Sequence, residues 1–195
     1  MLSIKPLIVM TAAVVAVSTL GIMAQSRPAL TLPATFTAFA VSPGGPRTSA
    51  VASQVDITID RWSTTGESDR LLALLKDKGP EKLLDALRDV KSVGTIRTPG
   101  NLAYDLRFAA VEPGEDGGHR VFLATDRPIS FWEAVNRPRV SDYPFTFIEL
   151  RLKAGGDGEG KLALATKVII NKDGKTIELE NYDGQPIALN EIRRR

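Results

Sequence analysis

Strict period-two alternation limits this chain more than any other feature of its sequence. It recurs from Phe36 to Ile192 and is broken by one helical stretch. Between Gln54 and Trp62, Val55, Ile57 and Ile59 fall on one face and Asp56, Thr58 and Asp60 on the other. Successive side chains of a strand point to opposite faces, so this segment reads as a half-buried strand, wet on one side. The same period predicts strands at Phe36–Val41, Val93–Arg97, Asn101–Val111 and Arg120–Thr125, then at Pro144–Lys153, Lys161–Ile170, Thr176–Tyr182 and Pro186–Ile192. Within Asn101–Val111 it puts Leu102, Tyr104, Leu106 and Phe108 on a shared face. In Pro144–Lys153 it sets Phe145 and Phe147 against Ile148, Leu150 and Leu152, so the first half of that strand is expected to be buried on both sides.

The breaks between strands carry turn chemistry. The PGGPR stretch at 43–47, Glu112–Gly118 and the glycine-rich 154–160 read as turns, and Asn171-Lys-Asp-Gly-Lys175 reads as a hairpin with glycine at the left-handed position. From Glu67 to Val90 the period changes: Leu71, Leu72, Leu74 and Leu75, then Leu83, Leu84, Leu87 and Val90, follow helical spacing. Gly79-Pro80 divides this stretch, with glycine suited to a helix end and proline to a first helical turn. One helical segment cannot supply the crossovers of a parallel sheet. The expected fold is therefore mainly β (α+β), an antiparallel meander forming a barrel or a sandwich, with an inserted helical hairpin at about 67–90.

The amino end has a different character. Leu7 to Ala24 carries no charge, Lys5 precedes it, and the first acidic residue of the chain is Asp56. A basic start, an apolar run and small residues before Gln25-Ser26 are the parts of a signal peptide, expected at residues 1–24. Residues 25–34 read as a spacer, 35–192 as a single β-rich domain, and 193–195 as a solvated basic tail. Removal of 24 from 195 residues leaves 171, enough for one domain with its own core. That cut takes one of 25 basic residues and none of 23 acidic ones, leaving a net charge of +1. So small a charge predicts no affinity for nucleic acid and no stable membrane attachment after cleavage. The chain has no cysteine, so burial alone must hold an exported fold together. Export points to the periplasm or the outside, where nucleotide-dependent chemistry lacks its supply.

Catalytic signals are sparse. His119 is the only histidine and sits at the edge of a turn, which rules out multi-histidine metal sites and makes a solvated residue the simplest reading. Gly155–Gly160 and Asn171–Gly174 hold oxygen ligands in turns but lack the spacing of a calcium loop. No glycine-rich stretch follows a strand and opens a helix at phosphate-loop spacing. No catalytic residue, metal site or cofactor is therefore predicted.

One segment resists a purely structural reading: Asp126–Tyr143, eighteen residues between two strands. It combines apolar and aromatic residues with three arginines and three acids. Arginine forks and aromatic rings recur at interface hot spots. The expected binding residues are Arg127, Trp132, Glu133, Arg137, Arg139 and Tyr143, with Arg97 and Arg107 extending the rim from neighbouring strands beside Tyr104 and Asp105. The function expected is an exported non-enzymatic binding or interaction module, its partner a small apolar or acidic ligand or an envelope protein. One alternative is a metal-independent hydrolase or isomerase using Asp126, Glu133 or Asp142 with Arg or Tyr. Another is a purely structural envelope protein, in which Phe131 and Trp132 plug one end of the barrel.

Overall fold

A computed structural model describes residues 30–42, 51–78, 80–100, 102–127, 129, 145–164, 166–170, 177–181 and 186–195. The expected leader and most of the spacer lie outside these residues, as do Trp132, Glu133, Arg137, Arg139, Asp142 and Tyr143.

Among the described residues there are ten strands: β1 (Ala34–Ser42), β2 (Val51–Ile59), β3 (Gly94–Arg97), β4 (Tyr104–Pro113), β5 (His119–Thr125), β6 (Thr146–Leu152), β7 (Gly158–Leu164), β8 (Thr166–Ile170), β9 (Ile177–Asn181) and β10 (Ile187–Arg194). Eight of them close an antiparallel barrel in the order β1-β10-β7-β6-β5-β4-β3-β2, while β8 and β9 pair as a two-stranded ribbon. Barrel and sandwich were both compatible with the alternation, and the barrel is what forms. Closure removes every unpaired edge from the eight strands.

An eight-stranded barrel is just wide enough for side chains to fill. Here most of the described inward residues are apolar: Phe36, Val55, Ile57, Ile59, Ile96, Leu106, Leu123, Ile148, Leu150 and Leu189 are all fully buried in one cluster. The outer face of β4, β5 and β6 carries a second cluster, Phe108, Phe122, Ala124 and Phe147. Helices α1 (Thr65–Lys78) and α2 (Pro80–Asp89) cover it with Leu71, Leu83, Leu84, Leu87 and Val90. The helical hairpin therefore packs on the outside of the wall, and the first half of β6 is buried on both faces as its sequence implied.

Two expectations about the strands are corrected. Leu106 and Phe108 do not share a face: Leu106 points into the barrel and Phe108 outward under the helices. A register shift against β5 between these residues inserts Arg107 as an extra residue, and such a bulge reverses the phase of everything beyond it. Leu102 lies on neither packed face and is 89% exposed. The second correction concerns the single strand expected over Lys161–Ile170, which is two. β7 starts earlier, at Gly158 inside the expected turn, and ends at Leu164; β8 begins at Thr166. The glycine that misled is explained by proximity. A Cβ on Gly160 would lie 2.5 Å from the Glu149 backbone oxygen, so only glycine lets β6 and β7 approach there.

The carboxyl end also departs from expectation. Arg193 and Arg194 belong to β10, paired with Thr37 and Phe36 of β1, and the Arg195 amide donates to Thr35 O at 2.9 Å. They are the end of the closing strand.

Entry to α1 is fixed by a capping box, signalled in the sequence by Thr64-x-x-Glu67. The Glu67 amide donates to Thr64 Oγ1 at 3.2 Å, and the Thr64 amide donates to Glu67 Oε2 at 2.7 Å. Arg61 then grips the same carboxylate with both terminal nitrogens, at 2.8 and 3.0 Å, and donates to Lys91 O at 2.9 Å. The hydrogen bond from Arg61, followed by that from the Thr64 amide, holds the Glu67 carboxyl down at about 2. A depressed folded-state pKa gives stability that is complete above the unfolded value of about 4.3 and is lost as pH falls through the folded one. Glu67→Gln is expected to lower the melting temperature at neutral pH and to flatten the loss of stability between about pH 4.3 and pH 2. Acid titration followed by circular dichroism checks this, and an acid limb as steep as in the parent would show that the contact stores no stability.

Candidate functional site

The antiparallel order sorts the connections between two rims. At one rim lie the ends Ser42 and Val51, Arg97 and Tyr104, Thr125 and Thr146, and Leu164 and Ile187. At the other lie the β4–β5 turn, the β6–β7 turn and the meeting point of β1 with the end of β10. The first is the loop rim, since the segments 43–50, 126–145 and 165–186 all depart from it. The second is the turn rim.

Of the binding residues expected from sequence, Arg127 is the one the structure describes, and it sits on the loop rim. Its guanidinium lies 5.0 Å from the centroid of the Tyr104 ring, within cation–π range. The start of the loop is anchored inward: Thr125 Oγ1 donates to Arg127 O and accepts from the Thr146 amide at 3.1 Å, and Ile129 is fully buried in the barrel core. Arg107 and Arg97, expected to extend this rim together, have separate structural employment. Arg107 donates to Asp126 Oδ2 at 3.2 Å and to Val90 O at the end of α2 at 3.0 Å, and it lies 3.0 Å from Asp105. Arg97 pairs across the wall with Asp56 at 3.4 Å. Asp126, a candidate carboxylate of the enzymatic alternative, is thus committed to Arg107.

The turn rim holds a feature that the sequence did not announce. An open groove of about 690 Å³ runs over the outside of β5, β6, β7 and β10, lined among others by His119, Arg120, Arg151, Lys153, Glu159, Asn190 and Glu191. Its volume falls within the range of small-ligand sites. The wall beside it is organised by Glu149, a carboxylate only 7% exposed. Glu149 Oε1 accepts three hydrogen bonds: from Arg120 Nε at 3.1 Å, Arg120 Nη2 at 2.9 Å and Arg151 Nε at 2.9 Å. Burial pushes the Glu149 pKa up, yet the bonds from Arg151 and Arg120 prevail and hold it below the usual carboxylate range. Glu149 in turn raises Arg151, with smaller contributions from Glu159 and Glu115.

Strand register explains the assembly. Phe122 stands opposite Glu149 on β6, and Arg120 opposite Arg151; Glu159 on β7 stands opposite Arg151 in turn. These positions all share the outward phase, so the pleat lines them up. Arg120 is steadied from the other side by the Phe122 ring, whose centroid is 5.0 Å from its guanidinium. The bond to Glu149 uses Arg151 Nε.

The far wall is shaped by strained backbone. Asp116 in the β4–β5 turn and Glu191 in β10 both have φ of +49°, and both line the groove. A left-handed non-glycine residue costs on the order of 1 kcal/mol. Around Glu191, β10 carries a bulge against both neighbours, and Glu191 has no register partner in β1 or β7.

In sequence, Arg120, Glu149 and Arg151 look like the ordinary wet face of two strands. The one available signal was Glu149 itself, a charge in phase with Phe145 and Phe147 on a strand whose first half read as buried on both sides. Among the described residues, no group of three or more His, Cys, Asp or Glu side chains is arranged to hold a metal ion. Set against protein-family models, curated proteins and solved structures, the chain matches none.

Proposed function

We propose that this chain is an exported, non-enzymatic binding module that carries its ligand on the outside of a packed barrel. The observation that carries the reading is the groove at the turn rim, walled by two arginines that Glu149 holds in fixed orientation. Preorganised guanidinium groups lose little freedom on binding, and this favours recognition of acidic or polar groups. The packed interior argues against an enclosed ligand, because apolar side chains occupy the space an eight-stranded carrier keeps open. Export rests on the charge-free run from Leu7 to Ala24.

The test is native mass spectrometry of the full chain purified from its own cells, beside an Arg151→Ala variant. The parent is expected to carry a bound molecule, with occupancy reduced about tenfold in the variant while circular dichroism stays unchanged. A parent mass equal to that of the bare polypeptide would remove the support for a ligand site.

A second surface is favoured by one observation. Leu102, 89% exposed, precedes by two residues Tyr104 of the Arg127–Tyr104 stack at the loop rim. An exposed leucine beside an aromatic–arginine pair suits contact with a partner protein, the role expected of the 126–143 segment.

A further inference from the structure

The shape and charge of the turn-rim groove narrow what it accepts. The main hollow adjoins a second of about 150 Å³, with which it shares Arg151, Glu159 and Asn190. A third, of about 70 Å³, adjoins it through His119, Leu152 and Lys153. Together they form a trench across four strands, the shape that an extended chain fills.

Charge sets the next limit. Four cations line the main hollow, Arg120, Arg151, Lys153 and Arg193, against five carboxylates, among them Glu115, Glu159 and Glu191. A polyanion meets the carboxylates and a polycation meets the guanidinium groups, and like-charge juxtaposition is strongly penalised. A ligand bearing both signs in alternation is complementary to such a wall. The apolar liners are Leu152 and Ile192, and among the described residues no Phe, Tyr or Trp ring lines the hollow as a stacking platform, the His119 imidazole being its one ring. Glu191, without a register partner in either neighbouring strand and with φ of +49°, marks an interruption of the ladder at the trench wall.

We propose that the trench binds an extended peptide segment carrying both positive and negative side chains, a reading that rests on the groove being the ligand site. The backbone of the bound segment meets the Glu191 bulge. Its acidic side chains meet Arg151 and Arg120, and its basic ones meet Glu159 and Glu115.

The probe is an acetylated, amidated peptide of six alternating Lys and Glu residues, titrated at low salt into the ¹⁵N-labelled full chain. Saturable shifts are expected at the Gly158, Asn190 and Glu191 amides, with all-Lys and all-Glu peptides at least about tenfold weaker. Arg151→Ala should weaken the alternating peptide by about tenfold, whereas Lys82→Ala, on α2, should leave it unchanged. A single-sign peptide that binds as tightly as the alternating one would overturn the proposal. So would a neutral oligosaccharide that moves these amides when no peptide does, although the groove would then stand as the site. Silence at these amides with every probe, together with a bare parent mass in native mass spectrometry, would overturn the inference and the reading beneath it.

Discussion

Phe122→Ala is expected to destabilise the protein by about 4 kcal/mol, read as a fall in the urea midpoint at unchanged slope. Phe122 is 1% exposed and sits on the outer wall with Phe108 and Phe147, directly in the cluster that Leu83, Leu84 and Leu87 cover. Truncating it loses the transfer energy of the ring and leaves a void that two helices and three strands cannot jointly close. The same ring is the seat of the Arg120 guanidinium, so the variant should also loosen the Arg120–Glu149 contact and weaken ligand retention at the groove. A change below about 1 kcal/mol would mean that the helical hairpin is not packed on the wall.

Deleting Arg193–Arg195 is the second large effect, expected at about 2–4 kcal/mol. The deletion removes the last two β1–β10 pairings, the Arg195 amide bond to Thr35 O and the 2.8 Å bond from Arg194 Nη2 to Thr31 O. Each contributes hydrogen bonding worth roughly 0.5–1.5 kcal/mol net per bond, and the deletion leaves the start of β1 without its partner strand. The charges themselves contribute little: Arg195 lies 3.8 Å from Asp56 and Arg193 3.5 Å from Glu191, in pairs largely open to water. Changing all three arginines to serine, with the backbone kept, gives up only the ion pairs and the Arg194–Thr31 bond and should cost about 0.5–1.5 kcal/mol. Equal losses in the deletion and the serine variant would assign the effect to charge and not to strand pairing.

Legibility from sequence followed the physics that each level involves. Alternation depends on neighbours two residues apart, so Val55, Ile57 and Ile59 declared their strand, and the leucines of α1 and α2 declared their helices. The bulge at Arg107 was hidden, because one extra residue in a strand changes the phase without changing composition. Gly158 and Gly160 were misread for a related reason: glycine serves both turns and close strand approach, and only the neighbouring strand distinguishes the two. The groove was the least legible part. Arg120, Glu149 and Arg151 come from two strands brought into register by the chain's return, and no local pattern encodes that register.

Phe36 on β1 pairs with Arg194 on β10, so the first strand of the barrel waits for the last. Until residues 187–194 are available, β1 and β7 each present a bare row of amides and carbonyls, the arrangement that recruits stray strands from other chains. Pairings so distant in sequence also form slowly. The seam thus rests on the pairing of strands far apart in the chain, and a barrel not yet closed by β10 is expected to be the form most exposed to misassociation with its own copies.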